Sequence, residues 1–160
     1  MDKLFTIGVY EFDKSSFFAA LRQAKVDALV DVRQRRSVRG AKYAFANATR
    51  LDHALHEEGI KSIVCKVLAP SNELRRLQRD VDHLSQMRKS DRNTLSSAFI
   101  EGYEREVLNK IDPNLIVTCL SEFRRPALLC VEKQASACHR GIAARWIGDI
   151  FNCKLEHIEP

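Results

Sequence analysis

Three short stretches of this 160-residue sequence concentrate the side chains able to do chemistry. Asp31 and Arg33 flank Val32, Cys130 and Glu132 flank Val131, and Cys138, His139 and Arg140 stand in a row. Residues two apart in an extended strand point to the same side, so each flanking pair can present both members to one partner. A thiol at a helix start feels the positive end of the macrodipole, and the neighbouring Arg140 adds to that field; both favour thiolate. His139 can exchange protons near neutral pH. Glu132 can act as general acid or base, or can orient Arg140 or His139. Cys138, Glu132 and His139 are therefore the candidate catalytic set, with Asp31, Arg33, Arg36, Arg39 and Arg140 as candidate contacts to an anionic substrate.

Each of these residues also has a plain structural use. Asp31 and Arg33 can form an ion pair that holds the following loop. Cys138 can be a small buried residue at a helix start. His139 shares a helical face with Ile142, Ala143 and Trp146, where it can hydrogen-bond inside the core. Cys130, Glu132, Cys138 and His139 count as four potential zinc ligands, but they lack the paired CxxC spacing of strong sites. No metal and no cofactor is assigned.

Arg33, Arg35, Arg36, Arg39 and Lys42 fall within ten residues, and Tyr43 and Phe45 follow them. Cations interleaved with aromatic rings are what nucleic-acid grooves use, with phosphates on the cations and bases on the rings. A nucleic acid or a phosphorylated small molecule is the expected partner, although the rings could equally anchor the loop to the core. A second basic group, Arg75, Arg76 and Arg79, reads as the exposed face of an ordinary helix. His53, His56 and His83 lack a partner pattern. There is no Walker A loop, GxGxxG or GxSxG, which removes the usual support for nucleotide hydrolase, dinucleotide-binding and serine hydrolase readings.

The elements that must position these residues alternate along the chain. Leu4–Val9 reads as a strand, and Asp13 or Ser15 caps a helix carrying Phe17, Phe18, Leu21 and Ala24. The nearly continuous apolar run from Val26 to Val32 is expected to be a central strand buried on both faces. Asn47 caps a helix with Leu51, Ala54 and Leu55 on one side and Gly59 at its end. Lys61–Leu68 is the next expected strand. Leu74, Leu77, Val81 and Leu84 then mark a charged helix reaching roughly Lys89, ended by Ser90-Asp91-Arg92-Asn93. Leu95, Phe99, Tyr103 and Val107 define another helix. Leu115–Leu120 fits helix or strand by periodicity, and the Asp112-Pro113 start favours helix. Ala127–Val131 is a strand, Ile142–Ile150 a helix and Lys154–Ile158 a closing strand.

This alternation predicts an α/β fold, one compact domain over residues 1–160 with a mainly parallel sheet flanked by helices in a Rossmann-like, three-layer arrangement. In such sheets the ligand crevice lies beyond the carboxyl ends of the strands, where Asp31, Arg33 and Glu132 fall. The apolar share of 45% and charged share of 29% are those of an ordinary globular chain. The 26 basic and 21 acidic residues leave a net charge of +5, modest overall but locally dense. No run approaches the ~20 apolar residues that span a bilayer, so no membrane partner is expected. Five widely spread cysteines lack the spacing of a disulfide framework. Free thiols and a cytoplasmic location are the expectation.

The order of landmarks resembles the family known as domain of unknown function 488. They are Thr6-Ile7-Gly8, Asp31-Val32-Arg33 with Ser37 and Arg39, Ala127-Leu128-Leu129-Cys130-Val131-Glu132, Cys138-His139-Arg140 and His157-Ile158. The resemblance runs almost end to end and implies a compact α/β domain in which Asp31, Arg33, Glu132, Cys138, His139 and Arg140 match the family's characteristic polar positions. The sequence departs from that pattern at Arg35-Arg36, where a proline-containing segment is more usual, and at Leu68-Ala69-Pro70, in place of Leu-Gly-Gly. Both departures fall in loops beside the expected crevice.

Overall fold

A computed structural model describes residues 1–88 and 91–160. Its centre is a five-stranded sheet of β1 (Lys3–Ile7), β2 (Ala28–Asp31), β3 (Lys61–Val64), β4 (Pro126–Leu129) and β5 (Lys154–Ile158), in the order β3-β2-β4-β1-β5. The sheet is parallel at every pairing, with Leu29 opposite Ala127 and Phe5 opposite Ala127 on either side of β4.

The period-2 geometry of these strands divides the core in two. Leu4, Val30 and Leu128 point into one buried cluster, where they meet Leu74, Phe99, Tyr103, Ile116, Ile142 and Ile147. Phe5, Leu29, Ala127 and Leu129 point into the other, against Phe17, Leu21, Leu51 and Leu55. The first cluster is covered by α3 (Asn72–Leu84), α4 (Ser97–Glu106), α5 (Pro113–Leu120) and α6 (His139–Phe151), and the second by α1 (Lys14–Gln23) and α2 (Ala48–Glu57). The result is the expected three-layer α/β arrangement, with β2 and β4 buried along their whole length.

Local signals account for most boundaries. Asp13 caps α1 and exchanges hydrogen bonds with Ser16. Asp112 accepts from Asn114 N–H ahead of Pro113, which makes Leu115–Leu120 helical. Asn47 precedes α2 but spends its side chain on Val38 N–H, 2.7 Å away, so it ties down the basic loop and leaves the helix uncapped.

Two further expectations require correction. The strand expected over Lys61–Leu68 ends at Val64, because β2 offers no ladder partner beyond Asp31; after the rung from Cys65 N–H to Asp31 C=O the chain tightens into a 3-10 turn, Lys66–Leu68. The stripe Leu74, Leu77, Val81 and Leu84 does not mark the inward face of α3. Leu77 is half-exposed and Leu84 is 83% exposed, while Leu74, Gln78 and Asp82 are buried. That face is turned to a polar network, where Gln78 and Asp82 find hydrogen bonds. The helix ends at Leu84. The expected extension toward Lys89 is not helical: Ser85 caps the helix and Gln86 turns the chain away with a φ of +51°; of that extension and the following break, only Lys89 and Ser90 lie outside the described residues.

Candidate active site

The connections after β1 and β2 run to one face of the sheet and those after β3 and β4 to the other, so the carboxyl ends of the adjacent strands β2 and β4 diverge and leave a crevice. A cavity of about 370 Å3 occupies it, reached by Arg33 and Arg35 from the β2 end, Cys130 and Glu132 from the β4 end, and Cys138 and His139 from the start of α6. The two distant stretches picked out in the sequence thus share one pocket.

At its floor, Cys138 takes extended backbone angles as the residue preceding α6. The close seat of this turn on the helix depends on Gly141, since a Cβ there would lie 2.3 Å from the Ala135 carbonyl oxygen. His139 Nε2 lies 3.1 Å from the Val32 carbonyl oxygen, which can only accept a hydrogen bond and so fixes the N–H at that nitrogen. Nδ1 is left facing two thiols, Cys130 Sγ and Cys138 Sγ, each 3.9 Å away. Cys130 Sγ also lies 3.5 Å from Glu132 Oε2. The donor atoms of Cys130, Cys138 and His139 all lie within 4.8 Å of one another, a set that would suit a thiophilic ion such as zinc.

Electrostatics separates the two thiols. Burial works against a Cys138 thiolate, but the hydrogen bond from Cys130 and the charges of His139 and Arg140 outweigh it and hold this thiol well below its usual range. Cys130 moves the other way, pushed well up by its hydrogen bond to Cys138 and by burial. Burial disfavours a charged His139, yet the adjacent Cys138 charge and hydrogen bond raise it. The two shifts make Cys138, rather than Cys130, the thiol that more readily gives up its proton, with His139 beside it to receive it.

The family model described as domain of unknown function DUF488 matches residues 14–147. The chain belongs to this family. No curated protein and no solved structure matched it.

In this DUF488 protein most of the arginines singled out from sequence are engaged by protein groups. Arg33, 2% exposed, grips Asp31 through two nitrogens at 2.7 and 2.6 Å and donates to the Ala46 carbonyl. Arg36 bridges Asp31 at 2.8 Å and Asp52 at 2.6 and 3.0 Å. Arg140, 1% exposed, donates to the Glu132 and Lys133 carbonyls at 2.5 and 2.7 Å, clamping the end of β4, while its Nε has no hydrogen-bond partner. Arg39 is exposed and does not line the cavity. In the basic loop Phe45 is buried against Phe17, so that ring anchors the loop.

Sequence reasoning missed the groups that complete the cavity. Arg92 donates to Asp82 at 2.7 Å, to the Ala137 carbonyl at 2.9 Å and toward Glu132 at 3.5 Å. Gln78 donates to Asp82 and accepts from Ser96 N–H and Oγ, which joins α3 to α4. Tyr103 stands 5.7 Å from the His139 ring and donates to the Leu68 carbonyl at 2.6 Å. Arg75 and Arg79, read from sequence as an ordinary helix face, line the same cavity. The available signal was the helical spacing of Arg75, Gln78, Arg79 and Asp82, a polar stripe overshadowed by the leucines between them.

Proposed function

We propose that this DUF488 protein is a single-domain enzyme acting on an anionic, phosphate-bearing substrate, with Cys138 as the attacking thiol. The observation that carries this reading is a thiol and an imidazole 3.9 Å apart at the floor of a cavity whose rim carries Arg35, Arg75 and Arg79. His139, held by Val32, takes the thiol proton on Nδ1. Sγ then forms a bond to the electrophilic centre of the substrate as the bond to the leaving group breaks, and the leaving group departs with the proton from His139. Glu132, turned into the same cavity, takes a proton from water as the water cleaves the thioester or thiophosphate and passes it to the departing Sγ, which returns both the thiol and the carboxylate. Such chemistry needs reduced cysteines, in keeping with a cytoplasmic location.

The test is turnover of phosphate-bearing compounds, including nucleotides, sugar phosphates and oligonucleotides, followed by 31P NMR and intact mass. Cys138→Ser is expected to reduce turnover by at least ~100-fold and to remove any mass adduct, with its circular dichroism unchanged. Turnover that persists in Cys138→Ser contradicts the proposal.

A second reading, a noncatalytic nucleic-acid-binding module, is favoured by the exposure of Arg35 and Arg39 on the basic loop. It requires binding to unspecific DNA or RNA that weakens steeply with salt and survives alanine at Cys138 and Glu132.

A further inference from the structure

The chemistry at the cavity floor leaves three guanidinium groups without an assigned task. Arg35 comes from the loop after β2, and Arg75 and Arg79 sit one turn apart on α3. These three line two neighbouring cavities at once, the one holding Cys138 and an outer one of about 360 Å3 whose remaining walls are Asn72, Glu73 and Arg76.

Their partnering sets them apart from the other arginines of the site. Arg33, Arg36 and Arg92 are each ion-paired to carboxylates, and Arg140 is spent on two carbonyls. Among the described residues no carboxylate pairs with Arg35, Arg75 or Arg79. Among the described residues the Arg75 guanidinium bonds the Asn72 side chain through one terminal nitrogen, and its Nε is shielded from solvent without a hydrogen-bond partner. Glu73 is the one acidic group on the outer wall, and it is exposed. Three like charges gathered where two cavities meet repel one another unless an anion lies among them, and planar guanidinium forks fit the several oxygens of a phosphoryl group better than any single carboxylate does.

We propose that the substrate carries at least two phosphoryl groups in series, one in each cavity, with Arg35, Arg75 and Arg79 between them. This rests on the reading that the cavity above Cys138 receives an anionic substrate, and it names the class. The serial phosphoryl groups can belong to a free diphosphate or to a phosphodiester strand.

Calorimetric binding to full-length Cys138→Ser protein tests this apart from any turnover. Inorganic pyrophosphate is expected to bind at least ~10-fold tighter than orthophosphate, and Arg75→Gln and Arg79→Gln are each expected to weaken pyrophosphate by ~10-fold or more. A single-stranded thymidine octamer that displaces pyrophosphate identifies a phosphodiester strand; one that fails to displace it identifies a free diphosphate. Equal affinity for orthophosphate and pyrophosphate, or pyrophosphate binding unchanged in both arginine variants, overturns the proposal. Tight pyrophosphate binding together with turnover that survives Cys138→Ser refutes the thiol mechanism alone and leaves the diphosphate site standing.

Discussion

At the scale of single residues, the site depends on backbone approaches that only particular side chains permit. Gly8 follows the end of β1, and a Cβ there would stand 1.9 Å from the Glu132 carbonyl oxygen that Arg140 holds. Gly8→Ala must therefore push away the turn that carries Glu132, at a cost of about 1–3 kcal/mol or more in urea unfolding. Gly59 gives the contrast: a Cβ there meets nothing within 4 Å, but its φ of +68° charges an alanine roughly 1–2 kcal/mol through the backbone alone. Gly8→Ala should also disturb the site and Gly59→Ala should not, which thiol reactivity at Cys138 reads directly. The catalytic candidates were legible in sequence because strand ends and helix starts announce themselves locally. Arg92 was not, since its partners Asp82, Glu132 and Ala137 lie 10, 40 and 45 residues away and no local pattern reports them.

Secondary-structure elements tell a similar story in their own terms. The strands and most helices follow from apolar periodicity and caps, because burial against a sheet imposes those patterns. On α3 the rule misleads: the inward face is Leu74, Gln78 and Asp82, and the outward leucines are exposed. A helix that walls a polar cavity buries polar groups that find partners, and hydrophobicity alone assigns such a face to solvent. The basic loop is fixed between elements by Arg36, which joins Asp31 at the end of β2 to Asp52 on α2, and Asp52 also accepts from Ser62 on β3. The Arg36 hydrogen bond holds the Asp52 carboxyl below its usual range, against the opposing effect of burial. A carboxylate lowered in the folded state stabilises above its unfolded pKa, and that contribution is lost as pH falls through the folded value. Urea midpoints should therefore drop as pH falls below about 4, the value of an unfolded carboxylate. The drop should be smaller in Arg36→Gln, which removes the cause; equal slopes in the two proteins would show that this bridge does not couple the loop to the sheet.

For the molecule as a whole, strand order does what no single motif can, bringing Arg33 and Arg35 together with Cys130, Glu132, Cys138 and His139 in one crevice. Alternation of strands and helices made the α/β class readable. The order β3-β2-β4-β1-β5 was not, because it depends on long crossovers and on which face each helix covers. The central claim is that this assembly activates Cys138, and the relative reactivity of the five cysteines tests it most directly. Cys138 is only 2% exposed but lies on the cavity with a lowered thiol pKa, whereas Cys119 and Cys153 are more accessible and shifted upward. Iodoacetamide at about pH 7, with sites located by peptide mass spectrometry, should modify Cys138 at least ~10-fold faster than Cys119 or Cys153. Modification of Cys119 and Cys153 while Cys138 stays intact in the folded protein would contradict the account.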